Sequence, residues 1–173
     1  MRSSIPTSTD YSSTRETATF ILIRAITYAT LFVGFLLVFL PARVLSWYGI
    51  VRPGSIGAAQ VAGVVVGASG AVLALWCIGT LIVIGRGTPA PFDPPRRLVE
   101  VGPYRMVRNP MYLGAGLALA GAALFYESWG LLGYCAAFVL VTHLFVVMYE
   151  EPTLRATFGA PYERYCERVR RWR

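Results

Sequence analysis

The chain has 173 residues, 55% of them hydrophobic and only 14% charged, whereas ordinary soluble domains carry roughly 25% charged residues, so there is too little polar surface to cover a core in water. The formal net charge is +7 and every basic residue is arginine. These arginines stand between long apolar runs, which points away from nucleic acid and toward an anionic membrane leaflet as the partner.

In chain order, a polar Ser/Thr-rich stretch at 1–19 reads as an N-terminal tail, with no pattern of a cleavable signal peptide. Phe20 to Leu40 is uncharged apart from Arg24, and Ser55 to Gly85 contains no charge at all. Each is long enough to cross a bilayer, which takes about 20 apolar residues. Met111 to Tyr126 and Trp129 to Tyr149 are two further uncharged runs, parted only by Glu127 and Ser128. The first of these covers about 24 Å of a hydrocarbon core roughly 30 Å thick, so the two are expected to form a tight helical hairpin with its turn near the far interface. The expected fold is therefore an all-α membrane protein with four spans and a C-terminal amphipathic helix. Its three regions are a tail at 1–19, two spans at 20–85, and a polar loop, hairpin and basic tail at 86–173.

Orientation follows from the arginines, since cytoplasmic segments hold the excess. Both termini inside places Arg2, Arg15, the loop arginines and the tail arginines on one side, and leaves Arg43 and Arg52 outside. Arg24 is near enough to the cytoplasmic end of its span to snorkel. In the second span, Gly63 and Gly67 form a small-xxx-small pair suited to close helix packing. Cys77, Cys135 and Cys166 are odd in number and far apart, which argues against a disulfide framework or a metal cluster, and no metal is expected.

The loop from Arg86 to Pro110 is rich in proline, which forbids a continuous helix. It ends in Gly102-Pro103-Tyr104-Arg105-Met106-Val107-Arg108-Asn109-Pro110-Met111-Tyr112-Leu113-Gly114-Ala115-Gly116. Pro110 suits the first position of the third span and Asn109 its N-cap. That helix start, with Arg105 and Arg108 beside it, offers positive potential to an anion. Gly114 and Gly116 leave bare backbone for a flat ligand or for a neighbouring helix.

Glu150 and Glu151 directly follow the last apolar run, where carboxylates are costly unless paired or functional. In an antiparallel hairpin they return to the interface where Pro110 to Gly116 begins. A zwitterion with a cationic centre, such as S-adenosylmethionine, matches that mixture of groups. The alternative is that the glutamates pair with Arg105, Arg108 or tail arginines. His143, the single histidine, lies seven residues before Glu150 on the same helical face, as a base or as a hydrogen-bonded packing residue. From Pro152 onward, Leu154, Phe158, Tyr162, Tyr165, Val169 and Trp172 recur at helical spacing among arginines, which predicts a helix lying on the cytoplasmic leaflet.

Gly102-Pro103-Tyr104, then Arg108-Asn109-Pro110-Met111-Tyr112-Leu113-Gly114, then Glu150-Glu151, Leu154, Phe158-Gly159, Tyr162 and Tyr165 together resemble a known signature. It is that of the isoprenylcysteine carboxyl methyltransferase and phospholipid methyltransferase superfamily of integral membrane enzymes. The likeness runs from about Arg97 to Trp172 and leaves out the first two spans.

The resemblance implies an enzyme that takes S-adenosylmethionine from the cytoplasm and methylates a lipid-like or small membrane-accessible acceptor, with an isoprenylcysteine-type carboxylate, a phospholipid amine and a small thiol all open. It further implies that Tyr104, Arg105, Arg108, Asn109, Pro110, Tyr112, Leu113, Gly114, Gly116, Glu150 and Glu151 bind the cofactor. Arg108, Glu150 and His143 are the expected catalytic groups, and a prokaryotic plasma membrane is the expected location. Asn109 departs from the histidine of many relatives and cannot titrate near neutral pH, while Arg170 stands where proline is common. Two other readings remain at this point: an NADPH-dependent membrane reductase of the sterol reductase type, and a non-enzymatic four-span transport or scaffold protein.

Overall fold

The computed structural model describes residues 34–50, 55–85 and 97–172, with isolated positions at 23, 27, 30, 31 and 53. The expected tail at 1–19, Arg24, Arg52, and the loop residues 86–96 lie outside them. The described residues form an all-helical structure with no strand among them. Helix α1, Leu40–Trp47, continues a π-helical turn at Gly34–Phe39, so the first apolar run stays helical beyond Leu40, where its span was expected to end. Helix α2 is Ala58–Thr80 with a π-helical turn at Leu81–Gly85. Helices α3 (Pro110–Phe125) and α4 (Trp129–Phe145) make the predicted hairpin. A π-helical turn, Val146–Glu150, joins α4 to α5, Glu151–Phe158, and α6 is Ala160–Arg168.

Two continuous helices, Ala58–Gly85 and Trp129–Phe158, are long and apolar enough to cross a membrane. Their most apolar stretches are only 17% and 22% buried, and Val64, Val72, Leu75 and Val83 on one and Leu140, Val141 and Met148 on the other face outward. A core helix of a soluble domain would have those side chains covered. The helical segment Gly34–Trp47 and α3 are apolar but shorter.

Helices α2 and α3 meet along a seam of glycines, the close approach that lipid-embedded helices use because lipid tails provide no hydrophobic drive. A Cβ on Gly63 would stand 2.6 Å from the Phe125 nitrogen, and one on Gly114 2.8 Å from the Ala74 nitrogen. From α3, Gly121 faces the Gly67 backbone with no room for a side chain. Gln60 closes the far end of the seam: its Oε1 accepts from Gly57 N at 2.9 Å, and its Nε2 donates to the Phe125 carbonyl at 3.3 Å. One buried amide thus satisfies the start of α2 and the end of α3.

The hairpin turn is set by Glu127, held at φ 47°, and by Ser128, whose hydroxyl caps α4 by accepting from Leu131 N at 3.3 Å. Three small cores follow along the bundle. Leu45, Ala123 and Leu131 sit at the turn end, Leu119, Cys135 and Phe138 in the middle, and Cys77, Leu81, Val99 and Tyr104 at the opposite end. Trp47, Tyr48 and Trp129 are exposed at the turn end.

The tail departs from the single interfacial helix expected from Pro152 onward. It breaks at Gly159, whose φ of +57° only glycine adopts without strain, into α5 and α6. The break turns α6 back, so Tyr162 and Tyr165, 2% and 3% exposed, face the protein.

Candidate active site

The loop before α3 is tied down from both sides. Gly102, at φ +59°, opens a 3-10 turn, Gly102–Arg105, that lays Tyr104 against Cys77 and Leu81 at the end of α2. From the tail, the Tyr165 hydroxyl donates to the Tyr104 carbonyl at 2.7 Å. Burial pushes both phenols well above the ordinary tyrosine range, so they stay protonated, and Tyr165 remains a donor, at neutral pH.

Pro110 occupies the first turn of α3 as expected, where its missing N–H costs nothing. Asn109 holds the N-cap position without capping. Its buried side chain turns to the tail instead, and Nδ2 donates to the Arg171 carbonyl at 3.4 Å. The adjacent Arg108 N donates to the Arg170 carbonyl at 2.9 Å, so backbone and side chain of this short segment both hold the C-terminal residues.

The two glutamates separate in role because successive helical residues point about 100° apart. Glu150 faces α3, and its Oε2 accepts from the Tyr112 hydroxyl at 2.9 Å. Glu151 is buried, with its side chain only 4% exposed, and gathers three arginines. Arg171 grips it with Nε at 2.7 Å and Nη2 at 2.9 Å, Arg108 Nη1 lies 3.2 Å away, and Arg155 Nη2 lies at 3.8 Å. The forked pair with Arg171 is the strong geometry for arginine and carboxylate. Among the described residues Glu150 makes no such pair. The alternative of glutamates paired with arginines therefore describes Glu151 and not Glu150.

Arg108 also donates from Nη1 to Cys166 Sγ, while its Nε is buried with no hydrogen-bond partner among the described residues. His143 accepts from the Trp172 indole N–H at its Nδ1, 3.0 Å away. Arg105 is exposed, and Tyr112 and Leu113 are half-buried on the first turn of α3. At Gly114 the neighbouring helix α2 takes the bare backbone that a ligand or a helix had been expected to use. Gly116 is buried on the other side, where a Cβ would lie 3.7 Å from Val139, and its carbonyl accepts from Cys135.

The fold thus brings Arg108, Asn109, Tyr112, Glu150 and Glu151 to one end of the hairpin, and links His143 to them through the tail. Residues 58–161 match the model of the phospholipid methyltransferase family. The chain belongs to this family. The phospholipid methyltransferase match takes in all of α2, which the motif resemblance left out, and stops short of the last residues of the tail. No curated protein and no solved structure matches the chain. Membership makes it a membrane methyltransferase at the level of the family.

Arg155, Cys166, Arg171 and Trp172 take part in this site, although the motifs assigned none of them to it: Trp172 was read only as part of the tail's apolar face, and the two arginines only among the tail's cations. The usable signal was charge balance: two adjacent carboxylates at a membrane edge need cations, and the nearest surplus is in the tail. Which arginine answers which glutamate depends on the reversal at Gly159, and that is a three-dimensional fact.

Proposed function

We propose that the chain crosses the bilayer four times, with both termini in the cytoplasm of a prokaryotic cell. There it transfers a methyl group from S-adenosylmethionine to a lipid-like or small membrane-accessible acceptor. Trp47, Tyr48 and Trp129 at the turn end support this placement, since aromatic residues belong at the interface opposite the site. The observation that carries the reading is the division of the glutamates. With Arg108, Arg155 and Arg171 drawn to Glu151, Glu150 has a tyrosine partner and, among the described residues, no arginine, which leaves its charge for a cation.

The residues present fit the cofactor at both of its charged ends. Arg108 Nε, which has no hydrogen-bond partner among the described residues, is a donor for a carboxylate, and Glu150 is an acceptor for an ammonium group and a counter-charge for a sulfonium. S-adenosylmethionine supplies an already activated methyl group, so the chain's own work is alignment of the acceptor and exclusion of water. Tyr112 fixes the Glu150 carboxylate, Asn109 and Arg108 fix the loop, and the tail closes over both. A carboxylate or thiolate acceptor needs no base, whereas an amine headgroup must first lose a proton, and Glu150 is the group placed to take it. His143 serves as the anchor of Trp172 in this reading.

Calorimetry on the detergent-purified protein tests the cofactor. Saturable binding of S-adenosylmethionine and S-adenosylhomocysteine, with none of NADPH, is expected. Binding of NADPH alone would favour a reductase, and binding of none of the three a non-enzymatic protein.

A further inference from the structure

Beyond α6, residues 169–172 leave the helix through an extended Val169 and lie across the site end as a strap. The Arg170 carbonyl accepts from Arg108 N, and the Arg171 carbonyl from Asn109 Nδ2. The Arg171 guanidinium forks onto Glu151, and the Trp172 indole N–H donates to His143 Nδ1. Asn109 and Glu151 are buried, and so is Arg108 Nε, the donor assigned above to the cofactor carboxylate. A ligand group reaches a buried donor only after part of the chain has moved. The contacts on Arg108 come from Glu151, Cys166 and Arg170, that is, from α5, α6 and the strap. Of these the strap alone has no helix to hold its shape, so it is the piece that opens at least cost.

The tie at Trp172 differs from the others in depth. Along α4, His143 lies about 21 Å from Trp129, which is exposed at the turn end, and Glu151 lies about 33 Å from it. The hydrocarbon core is roughly 30 Å thick, so Arg171 meets Glu151 at the near interface while Trp172 meets His143 about 9 Å inside. At that depth an indole N–H and an imidazole nitrogen each need a partner, and their shared bond supplies both. Once released, the indole has a second favourable seat at the interface, where tryptophan gathers.

From this geometry we infer that His143 and Trp172 form a latch that gates cofactor exchange. Closed, it holds the strap over Arg108 and Glu151. Open, with the indole at the interface, it admits and releases the cofactor. His143 is thus a positioning residue that acts on the site through Trp172. The inference deepens the cofactor reading above and rests on it.

The test follows S-adenosylhomocysteine association and dissociation rates on the full chain in bilayer discs. Trp172→Phe keeps the ring and loses the N–H, and His143→Phe loses the acceptor. Each is expected to speed both rates by about threefold to tenfold, as for one hydrogen bond, with little change in affinity. The double variant is expected to exchange no faster than either single one, because both remove the same bond. A ligand-independent arm leaves Trp172 as the single tryptophan, through Trp47→Phe, Trp76→Phe and Trp129→Phe. Its fluorescence is expected to be quenched by lipids brominated on the acyl chain more than by lipids carrying a headgroup quencher, and His143→Phe is expected to reverse that order. Unchanged rates in both single variants, lost affinity at an unchanged association rate, additive effects in the double variant, or a Trp172 depth indifferent to His143→Phe would overturn the latch. Failure of wild type to bind S-adenosylhomocysteine would instead overturn the cofactor reading, with the quenching arm still deciding the latch.

Discussion

Glu150→Gln is expected to weaken S-adenosylmethionine binding by between about tenfold and about a hundredfold, the size of a hydrogen-bonded charge contact made in a dry site. The substitution keeps the shape and the acceptor for the Tyr112 hydroxyl, so the hairpin and its insertion are expected to survive. S-adenosylhomocysteine, which has no positive sulfur, is expected to lose less. Glu151→Gln is the informative contrast. That carboxylate is committed to Arg171, Arg108 and Arg155, so its neutralisation loosens the tail and exposes it to protease while S-adenosylmethionine still binds. Two neighbouring glutamates thus give two different phenotypes. Equal loss of cofactor binding in both variants, or loss in neither, would contradict the division of roles.

The second large effect is on stability. Gly63→Ala and Gly121→Ala are each expected to cost about 2–3 kcal/mol, the upper part of the range for overpacking, read as a drop in the thermal unfolding midpoint in detergent. The reason is that the new methyl group meets backbone and not a flexible side chain. At Gly63 it faces the Phe125 nitrogen and the Gly121 carbonyl, and at Gly121 the Gly67 nitrogen and Cα. Neither can move unless α2 and α3 separate, and that separation would open the site end, where Gly70 and Gly114 form the same seam. Gly67→Ala is the internal control, because its Cβ would lie 3.7 Å from Gly121 Cα, an ordinary contact. Gly79, with open space around it, should tolerate alanine without loss.

Much of the helical layout was legible because membrane helices announce themselves by length and lack of charge. The hairpin was readable from two uncharged runs separated by Glu127 and Ser128, and the structure turns there. The start of α3 was readable from Asn-Pro, although Asn109 holds the tail in place of capping the helix. Gly114 shows where local reading stops. Bare backbone one turn into a helix is the same letter whether a ligand or a helix approaches, and here α2 approaches. The tail shows the same limit more sharply. Its apolar spacing was real, but one glycine at 159 decides whether that face meets lipid or protein, and the reversal sends Tyr162 and Tyr165 inward. The glutamates were recognisable as a pair from their place at the end of an apolar run. Their separation into a tail clamp and a carboxylate held by a tyrosine required the positions of Arg171 and Tyr112, which are distant in sequence from both.

The most direct measurement is transfer of radiolabel from methyl-labelled S-adenosylmethionine by the purified chain, reconstituted into bilayers made from a native membrane extract. The account predicts label in a membrane-extractable or small-molecule product, at a rate that falls with Glu150→Gln while the variant remains folded and inserted. Incorporation at the level of protein-free bilayers, by a preparation that is folded and binds S-adenosylhomocysteine, would contradict it.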